Sequence, residues 1–335
     1  ARRAEREVLL VTSGSIAAGI GPLGLAARPT NLELQQAAAS VGQGALIHAY
    51  TVAFARYGLT VGQVLLTADD MIRRAHYGNA RRALESLLAL GVVPIINEND
   101  TVSIEEIKFG DNDTLSAMIA LLVNADVLIN LTDIDGLYNK DPRSHADAEL
   151  IPMVSTIKRD IEQFASDIPG ALGTGGMMTK IRAARKLNTA GIPMFIAQGT
   201  KPDILLRLMD GEEHGTFFAP KRQKMTNRKC WIGFTSKPRG MIRIDDGAVK
   251  AITRKGKSLL PAGIVDVTGD FGAGSPVEFI NGRGEVLGTG LVNYSADDIR
   301  RIMGLRTSEI KERLGEKPYD EVIHRDNLTV VWECD

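Results

Sequence analysis

The amino-acid sequence predicts an α/β fold, a three-layer αβα sandwich with a mostly parallel sheet, followed by a small β-rich barrel domain. Short apolar runs alternate with helical periodicity through most of the first 200 residues of the 335, which is typical of βαβ units. Polar clusters follow several predicted strands, where open α/β sheets bind their ligands. After about Thr216 the pattern changes to short strands punctuated by glycine, which is typical of a barrel-like domain.

The predicted elements of the first region follow one another in regular alternation. Each strand is a short apolar run, each helix shows an apolar period of 3.6 residues, and Gly58, Gly91 and Gly191 stand where helices end. The strands are predicted at 8–11, 59–66, 92–96, 127–131 and 192–197. The helices are predicted at 16–19, 31–57, 77–90, 115–123 and 176–190.

A basic, irregular stretch at 221–231 predicts a linker between two domains. Beyond Arg239 the sequence predicts four strands and one helix. The strands are at 241–244, 263–267, 276–280 and 286–292, and the helix is at 246–254. The predicted organisation is therefore a first domain at 1–220, a linker at 221–238 and a barrel-like domain at 239–335.

Composition indicates an ordinary globular protein. Lys plus Arg is 40 and Asp plus Glu is 41, a net charge of -1, which gives no global signal for a nucleic-acid or membrane partner. No apolar run approaches the ~20 residues of a membrane span. The two cysteines, Cys230 and Cys334, offer neither a disulfide framework nor a metal-ligand spacing. This predicts a reducing, cytoplasmic compartment and no metal ligands from the protein's own cysteines and histidines.

The segment GTGGMMTK at 173–180 opens the predicted helix at 176–190. Glycines let backbone N–H groups approach phosphate oxygens closely, and a helix N-terminus adds a positive field. Lys180, about one turn into this helix, could reach a transferring phosphoryl group. The spacing is neither that of a Walker A motif nor that of a dinucleotide fingerprint. A flexible loop with a solvated lysine is the alternative interpretation.

Three further polar clusters carry candidate chemistry. In FGDNDTLSA at 109–117, three acidic and amide residues precede a helix. Because a helix cap needs only one of them, the others suggest a role around a phosphate. Capping alone is the alternative interpretation. NEND at 97–100 offers groups that could hold the ammonium of a small amino acid. LTDIDGLY at 131–138 has a Thr–Asp pair suited to a nucleotide base or ribose, with Tyr138 beside it, or forms an ordinary turn.

Together these motifs resemble the glutamate 5-kinase branch of the amino acid kinase family. VTSGSIAAG, NENDTV, FGDNDTLSA, LTDIDGLYNKDPR and GTGGMMTK occur in the order and approximate spacing of that family, and the resemblance covers nearly the whole chain. The segment from GMIRIDDGAVK onwards resembles the PUA domain that many bacterial members carry. The resemblance implies an amino acid kinase fold at 1–220 and a PUA-like domain at 239–335.

The resemblance implies ATP-dependent phosphorylation of the side-chain carboxylate of L-glutamate to L-glutamyl 5-phosphate, the first step of proline biosynthesis, with ATP and Mg²⁺ as cofactors. Lys180 would stabilise the transferring group, and Asp113 or Asp111 would organise the site. Ser13, Asp100 and Asn112 would bind glutamate. The implied ATP-binding residues are Thr132, Asp133, Thr174, Gly175, Gly176, Met177, Met178, Thr179 and Lys180. A carboxylate nucleophile is already ionised at neutral pH, so no general base is required.

The resemblance further implies a homo-oligomer, proline as a feedback inhibitor, RNA as a possible partner of the PUA-like domain, and no membrane partner. One departure stands out. The family begins with a strand carrying a Lys-x-Gly-Thr/Ser motif whose lysine contacts the phosphates, and that strand and the helix after it are missing ahead of Val8. A protein without that segment is expected to be inactive. Met178, where serine is common, is expected to matter little.

Two other functions stay open from the sequence. A sibling kinase acting on acetylglutamate, aspartate or a nucleoside monophosphate would share the sheet and the glycine-rich loops, and the use of free or acylated glutamate separates the nearest siblings. An RNA-binding protein on a kinase-like scaffold is the other alternative. Salt-dependent RNA affinity without turnover would favour it, and the near-neutral charge argues mildly against it.

Overall fold

The computed structural model divides into two compact units, Ala1–Lys224 and Met225–Asp335. It describes residues 6–103, 111–157, 161, 164, 176–221, 224–234 and 237–330. The division falls within residues 221–238, where the sequence predicts a linker. The two units are described separately below.

The strands of the first unit are β1 (Leu10–Val11), β2 (Val61–Leu66), β3 (Val93–Glu98), β4 (Leu128–Thr132), β5 (Met153–Val154), β6 (Met194–Gln198) and β7 (Thr216–Phe218). Its helices are α1 (Ser15–Ile20), α2 (Leu32–Ala55), α3 (Ala68–Ile72), α4 (Arg74–Ala89), α5 (Asn112–Val123), α6 (Met177–Ala190) and α7 (Ile204–Met209). In the described part of the chain, no helix combines the length and the apolar character that crossing a membrane requires.

The strands of the first unit pair mostly in parallel, as predicted. One sheet has the order β1-β3-β2 and the other the order β4-β6-β7-β5. β1 and β2 both pair with β3 in parallel, and β4 pairs with β6 in parallel, whereas β6 and β7 are antiparallel. Parallel strands end at the same edge of a sheet. The polar clusters after β1 and β3 therefore come to one edge of the first sheet, and the cluster after β4 follows the carboxyl end of a strand of the second sheet.

Helix α5 connects the two sheets. It contacts β1 and β3 of the first sheet and β4 of the second, and it packs against α4 and α6 in a common helical layer. Every residue from Leu115 to Leu122 on this helix is buried, because the helix faces strands and helices on nearly all sides. Helices α1 and α2 pack against each other, with α2 against β2. The N-terminus of α5 is consequently held in a fixed position between the ends of β1, β3 and β4.

Several boundaries differ from the sequence-based predictions. Helix α5 begins at Asn112 rather than at 115, because the Asp111 side chain accepts a hydrogen bond from the Thr114 backbone N–H at 2.7 Å and caps the helix. Helix α3 was not predicted, since its five residues are too few to show a period, but a capping box formed by Thr67 and Asp70 starts it. The short strands β5 and β7 were missed for the same reason of length.

The second unit is built on five strands: β8 (Gly240–Ile244), β9 (Ile264–Gly269), β10 (Pro276–Ile280), β11 (Val286–Leu291) and β12 (Leu328–Val330). They form one sheet in the order β12-β11-β10-β8-β9, antiparallel except where β10 meets β8. Its helices are α8 (Asn227–Phe234), α9 (Asp246–Thr253), α10 (Ala296–Ile302) and α11 (Ile310–Leu314). Buried side chains such as Val277, Phe279 and Leu287 form its own apolar core, which confirms the predicted β-rich domain.

Helix α8 corrects the prediction of an irregular segment at 221–231. Cys230 and Ile232 are buried on it at 3% and 0% exposure, and the Thr329 hydroxyl donates to the Lys229 carbonyl oxygen at 2.8 Å. A short apolar face of this helix packs on β12. The many basic residues of the stretch are the reason that the sequence did not indicate a helix there. Burial raises the pKa of the Cys230 thiol to about 11, so this cysteine stays protonated and unreactive at neutral pH.

Candidate active site

A cavity of about 2000 Å³ lies in the first unit, along β1 and β4 and at the end of β3. Most of the predicted site residues line it. They are Ser13, Asp100, Asp111, Asn112, Asp113, Thr132, Asp133, Gly176, Met177 and Lys180. Met178 and Thr179 are described but do not line the cavity, and Thr174 and Gly175 lie outside the described residues. The structure thus brings together side chains that are up to 167 positions apart (13 to 180).

The Asp113 carboxylate is the centre of the polar cluster in this cavity. Lys180 Nζ lies 3.0 Å from Asp113 Oδ2 and 3.2 Å from Oδ1. The Thr179 hydroxyl donates to Asp113 Oδ2 at 2.6 Å, and Asn130 Nδ2 donates to Oδ1 at 2.6 Å. Both side chains of the ion pair are only 12% exposed. Three elements, α5, α6 and β4, therefore converge on one carboxylate, and its charge holds the lysine ammonium at the cavity wall.

Helix α6 positions Lys180. Gly176 is its N-cap, and the Thr179 backbone N–H donates to the Gly176 carbonyl oxygen at 3.2 Å. Lys180 is the fourth residue of the helix, so its ammonium stands close to backbone N–H groups that have no partner within the helix. Positive charge and helix N-terminus face the same cavity. This arrangement suits the oxygens of a phosphoryl group.

Asp111 caps α5 with both carboxylate oxygens. Oδ1 accepts from the Thr114 backbone N–H at 2.7 Å, and Oδ2 accepts from the Thr114 hydroxyl at 3.2 Å. Its charge also acts on Lys186 of α6. Burial lowers the pKa of the Lys186 ammonium, and the nearby Asp111 carboxylate partly offsets that effect. Asp111 therefore caps the start of α5, which Asp113 does not do. The catalytic role predicted for Asp111 stays a prediction.

The ends of β1 and β3 meet through Ser15 and Asp100. Gly14 adopts a left-handed conformation with φ 100°, which turns the chain from β1 into α1. Ser15, buried at 4% exposure, then donates its hydroxyl to Asp100 Oδ2 at 2.8 Å. Ser13, the predicted ligand, lines the cavity but is exposed. The residue that orients Asp100 is thus Ser15, which the sequence analysis missed although it lies in the same VTSGSIAAG segment.

The turn after β4 also lines the cavity. The Thr132 hydroxyl donates to Asp133 Oδ1 at 3.0 Å. Arg143 also lines the cavity and binds both oxygens of Asp141 at 3.0 Å. The hydrogen bonds from Arg143 lower the pKa of the Asp141 carboxyl, and those to Asp141 raise the pKa of Arg143. Tyr138, which the sequence placed beside the nucleotide, does not line the cavity; its backbone bridges Leu150 instead.

Asn130 is the functional residue that sequence reasoning missed most clearly. It lies within β4, in the run LINLT, and its amide holds Asp113 in place. A polar side chain inside an otherwise apolar strand was the signal that could have identified it, because buried amides need partners. Within the described ranges, no group of three or more His, Cys, Asp or Glu side chains has the geometry of a metal site.

Comparisons with known proteins match two different family models to two parts of the chain. The model of the Amino acid kinase family matches residues 1–198, and the model of the PUA domain matches residues 240–314. The chain is 51% identical over 325 residues to glutamate 5-kinase from Syntrophus aciditrophicus, covering 97% of this chain and 84% of that protein. It is 48% identical to glutamate 5-kinase from Geobacter sulfurreducens, with 98% and 88% covered.

Among solved structures, an isopentenyl phosphate kinase superimposes with a TM-score of 0.45 at 20% identity, covering 65% of this chain and 86% of that one. Uridylate kinase from Archaeoglobus fulgidus superimposes with a TM-score of 0.43 at 17% identity, covering 64% and 86%. The family of this chain is therefore assigned from its sequence relatives.

Proposed function

We infer that this chain, which belongs to the glutamate 5-kinase family of amino acid kinases, transfers the γ-phosphoryl group of ATP to the side-chain carboxylate of L-glutamate. The product is L-glutamyl 5-phosphate, which enters proline biosynthesis. One structural observation carries the inference: Lys180, held by Asp113 at 3.0 Å, faces the cavity from the N-terminal turn of a glycine-led helix.

The reaction requires that the two substrates be aligned and that the repulsion between their negative charges be offset. It does not require a side chain that transfers a proton. The attacking glutamate carboxylate is an anion at neutral pH, and it must approach a triphosphate that is also anionic. Lys180 offsets that repulsion and meets the charge that develops on the transferring group. Asp113 does not touch the substrates in this scheme. It is a positioning residue that fixes the ammonium, and Thr179 and Asn130 fix Asp113 in turn.

ATP and glutamate occupy opposite ends of the cavity in this proposal. Thr132 and Asp133 at the end of β4 lie on the ATP side together with the α6 N-terminus, and Asp100 at the end of β3 lies on the glutamate side. The carboxylates lining the cavity fit Mg²⁺ that arrives with the nucleotide, because this ion usually takes one or two carboxylates plus phosphate oxygens and waters. Asp133 and Asp111 are the candidates to hold it. When bound, Mg²⁺ supplies charge neutralisation of the phosphates.

The apolar part of the cavity suits the strand that the family places first. β1 and β4 each end the strand order of their sheet, and Leu10, Val11, Leu128 and Ile129 on these two strands line the same cavity. Edge strands offer unpaired N–H and C=O groups that another strand can use. We propose that the Lys-x-Gly-Thr/Ser strand inserts here and adds its lysine to the site.

The test of the proposed function is an assay of ATP- and glutamate-dependent acyl phosphate formation. The chain preceded by the family's Lys-x-Gly-Thr/Ser strand is expected to turn over glutamate but not N-acetylglutamate. The same protein with that lysine replaced by alanine serves as the matched comparison. Turnover of N-acetylglutamate in preference to glutamate would assign the chain to a sibling kinase, and no turnover of either acid would contradict the proposal.

Asp100→Ala is expected to raise the KM for glutamate with little change in the KM for ATP. The α-ammonium of glutamate needs an anionic partner, and loss of a charged hydrogen bond costs about 1.5–3 kcal/mol, or roughly 10- to 100-fold in KM. Ser15→Ala, which removes the hydroxyl that orients Asp100 at 2.8 Å, is expected to raise the same KM by a smaller factor. Steady-state kinetics with each substrate varied provides the measurement. A rise in the ATP KM alone would contradict this assignment of Asp100.

A protein that carries the family's Lys-x-Gly-Thr/Ser strand and is shortened after Lys224 is expected to keep kcat for glutamate within about threefold. All the proposed site residues precede Ile181, and the first unit has its own sheets. The cut has to follow Pro220, because β7 pairs with β6 and Phe218 is only 1% exposed. Circular dichroism and turnover of the shortened protein provide the measurement. A folded, soluble and inactive product would mean that the second unit takes part in catalysis.

A second candidate function is RNA binding by the PUA-like unit. A shallow pocket of about 380 Å³ in this unit is lined by three side chains that can carry positive charge, Lys257, His324 and Arg325, and by one carboxylate, Glu321. Such side chains bind phosphate oxygens, and the affinity for RNA would then fall steeply with salt. Filter binding at two salt concentrations tests it; affinity unaffected by Lys257→Ala and Arg325→Ala would contradict it.

Homo-oligomerisation, proline inhibition and a cytoplasmic location stay predictions from the family.

A further inference from the structure

The proposed substrate carries three charged groups, and the residues assigned above meet two of them. The side-chain carboxylate of L-glutamate is directed to the phosphoryl group beside Lys180, and the α-ammonium pairs with Asp100. The α-carboxylate is the third charge, and it needs charge-assisted hydrogen bonds to replace the water that it leaves. Its partner should therefore be a cation on the glutamate side of the cavity, an expectation that rests on the proposed function.

The positions of the cations around the cavity single out one candidate. Among the described residues, the lysines and arginines that line it are Arg6, Arg28, Arg143 and Lys180. Lys180 is held by Asp113, and Arg143 binds Asp141 in the turn after β4, on the ATP side. Arg6 precedes β1, whereas the polar groups of the glutamate side follow the carboxyl ends of β1 and β3. Of these four cations, Arg28 is the one left for the glutamate side.

Arg28 lies in the connection between α1 and α2, which adjoins the glutamate side of the cavity. At the start of α1, Ser15 donates its hydroxyl to Asp100 Oδ2 at 2.8 Å. In the second turn of α2, the Gln36 side chain donates to the Ser103 carbonyl oxygen at 3.2 Å. The segment that begins with Asp100 is thus bonded to both helices that Arg28 connects, and Arg28 lines the same cavity as Asp100.

The backbone around Arg28 is anchored on both sides. Leu25 packs on the small buried cluster between α1 and α2, and the Gln35 side chain donates to the Pro29 carbonyl oxygen at 3.1 Å. A residue that precedes proline is restricted to extended conformations. The backbone of Arg28 is therefore already ordered, which lowers the entropy cost of binding an anion through its side chain.

The Arg28 guanidinium is available for a ligand. Within the described part of the chain, no hydrogen bond or ion pair joins its side chain to another residue, whereas Arg143 and Lys180 each have a carboxylate partner. A guanidinium matches a carboxylate with two parallel N–H···O bonds. Unpaired arginines are common on protein surfaces, but Arg28 is distinguished by its place in the cavity wall on the side of Asp100.

We propose that Arg28 binds the α-carboxylate of L-glutamate and is a specificity-determining residue of this enzyme. Asp100 then holds the α-ammonium, and the side-chain carboxylate points to the phosphoryl group beside Lys180. These three contacts distinguish the two enantiomers of glutamate. In the D-enantiomer, the ammonium would face Arg28 and the α-carboxylate would face Asp100, so both contacts would become repulsive.

Substrates that lack one charged group test this contact, in the full chain preceded by the family's Lys-x-Gly-Thr/Ser strand. Arg28→Ala is expected to lower kcat/KM for L-glutamate roughly 10- to 100-fold. For 4-aminobutyrate, which lacks the α-carboxylate, the same variant should stay within about threefold of the unchanged protein, because the contact is already absent. Inhibition constants against L-glutamate give the same comparison where turnover of 4-aminobutyrate is slow.

Glutarate provides the reciprocal comparison, because it keeps both carboxylates and lacks the ammonium. Its kcat/KM should fall in Arg28→Ala as that of L-glutamate does, and it should change little in Asp100→Ala. Arg28→Lys keeps the charge without the planar fork, so it should recover part of the loss. The matched control is Arg56→Ala, at an exposed arginine that ends α2 and does not line the cavity, and it should leave every substrate unaffected.

The outcomes separate a binding role of Arg28 from a structural one. Equal losses for L-glutamate and 4-aminobutyrate in Arg28→Ala would mean that the residue only supports the fold, and the proposal would be overturned. An unchanged kcat/KM for L-glutamate would overturn it as well. If the protein without substitutions does not phosphorylate L-glutamate, the proposed function fails first, and this result is distinct from a failure at Arg28.

Discussion

Lys180→Ala is expected to lower kcat for glutamate phosphorylation on the order of 10²-fold or more, the typical loss when one preorganised contact to transition-state charge is removed. The Lys180 side chain is 12% exposed and its ammonium is held at 3.0 Å by Asp113, so little of its charge is screened by water. The KM values should change less than kcat, because the charge it meets is greatest in the transition state. Single-turnover and steady-state rates provide the measurement.

Lys201→Ala is the matched control for this experiment. Lys201 also forms a lysine–aspartate pair in the first unit, with Asp135 at 3.2 Å, but it does not line the cavity. Its replacement is expected to leave turnover unchanged. A kcat within threefold of the unchanged enzyme for Lys180→Ala, with the fold intact, would rule out its role in catalysis.

Asp113→Asn is expected to lower kcat and to destabilise the protein at the same time. Asparagine keeps the size of the side chain, but it leaves the Lys180 ammonium without its counter-charge in a site that is largely shielded from water. Loss of a hydrogen-bonded partner of a charged group lowers the free energy of unfolding by about 1.5–3 kcal/mol. Because Asp113 positions Lys180, kcat should fall by roughly tenfold or more, and denaturant unfolding gives the stability change.

A double variant separates the two effects. In Asp113→Asn combined with Lys180→Ala, the unpaired ammonium is gone, so the stability loss should be smaller than the sum of the two single losses. Activity should stay as low as in Lys180→Ala alone. Asp135→Asn, in the exposed pair with Lys201, provides the comparison and should cost under 1 kcal/mol. Additive stability losses at Asp113 and Lys180 would show that the pair does not act as a unit.

The parts of the site that the sequence predicted are those with a local signal. Lys180 follows a glycine-rich helix start, and Asp113 lies in a run of acidic and amide residues before a helix. Both patterns are set by neighbours within a few residues, because glycine, caps and helix N-termini act over one turn. The alternation of apolar runs with helical periods likewise predicted a mostly parallel sheet, since burial on both faces requires continuous apolar strands.

The sequence could not show which of the two neighbouring carboxylates, Asp111 or Asp113, caps the helix and which one binds Lys180. Asp111 and Asp113 are two positions apart and chemically identical, yet Asp111 caps its own helix with both oxygens while Asp113 faces Lys180, Thr179 and Asn130. Successive residues at the start of a helix point in directions about 100° apart. Which of the two carboxylates meets Lys180 depends on how α5 lies against β4 and α6.

The sequence by itself determined the fold class, the position of the polar clusters at strand ends, and the family, because these follow from residue type and local spacing. Tertiary structure decided that Ser15 orients Asp100, that Asn130 supports Asp113, and that a basic stretch forms helix α8. It also showed that α2 has one face packed on α1 and another exposed. Each of these depends on contacts between residues distant in sequence, whose geometry is set by packing and is not carried by local pattern.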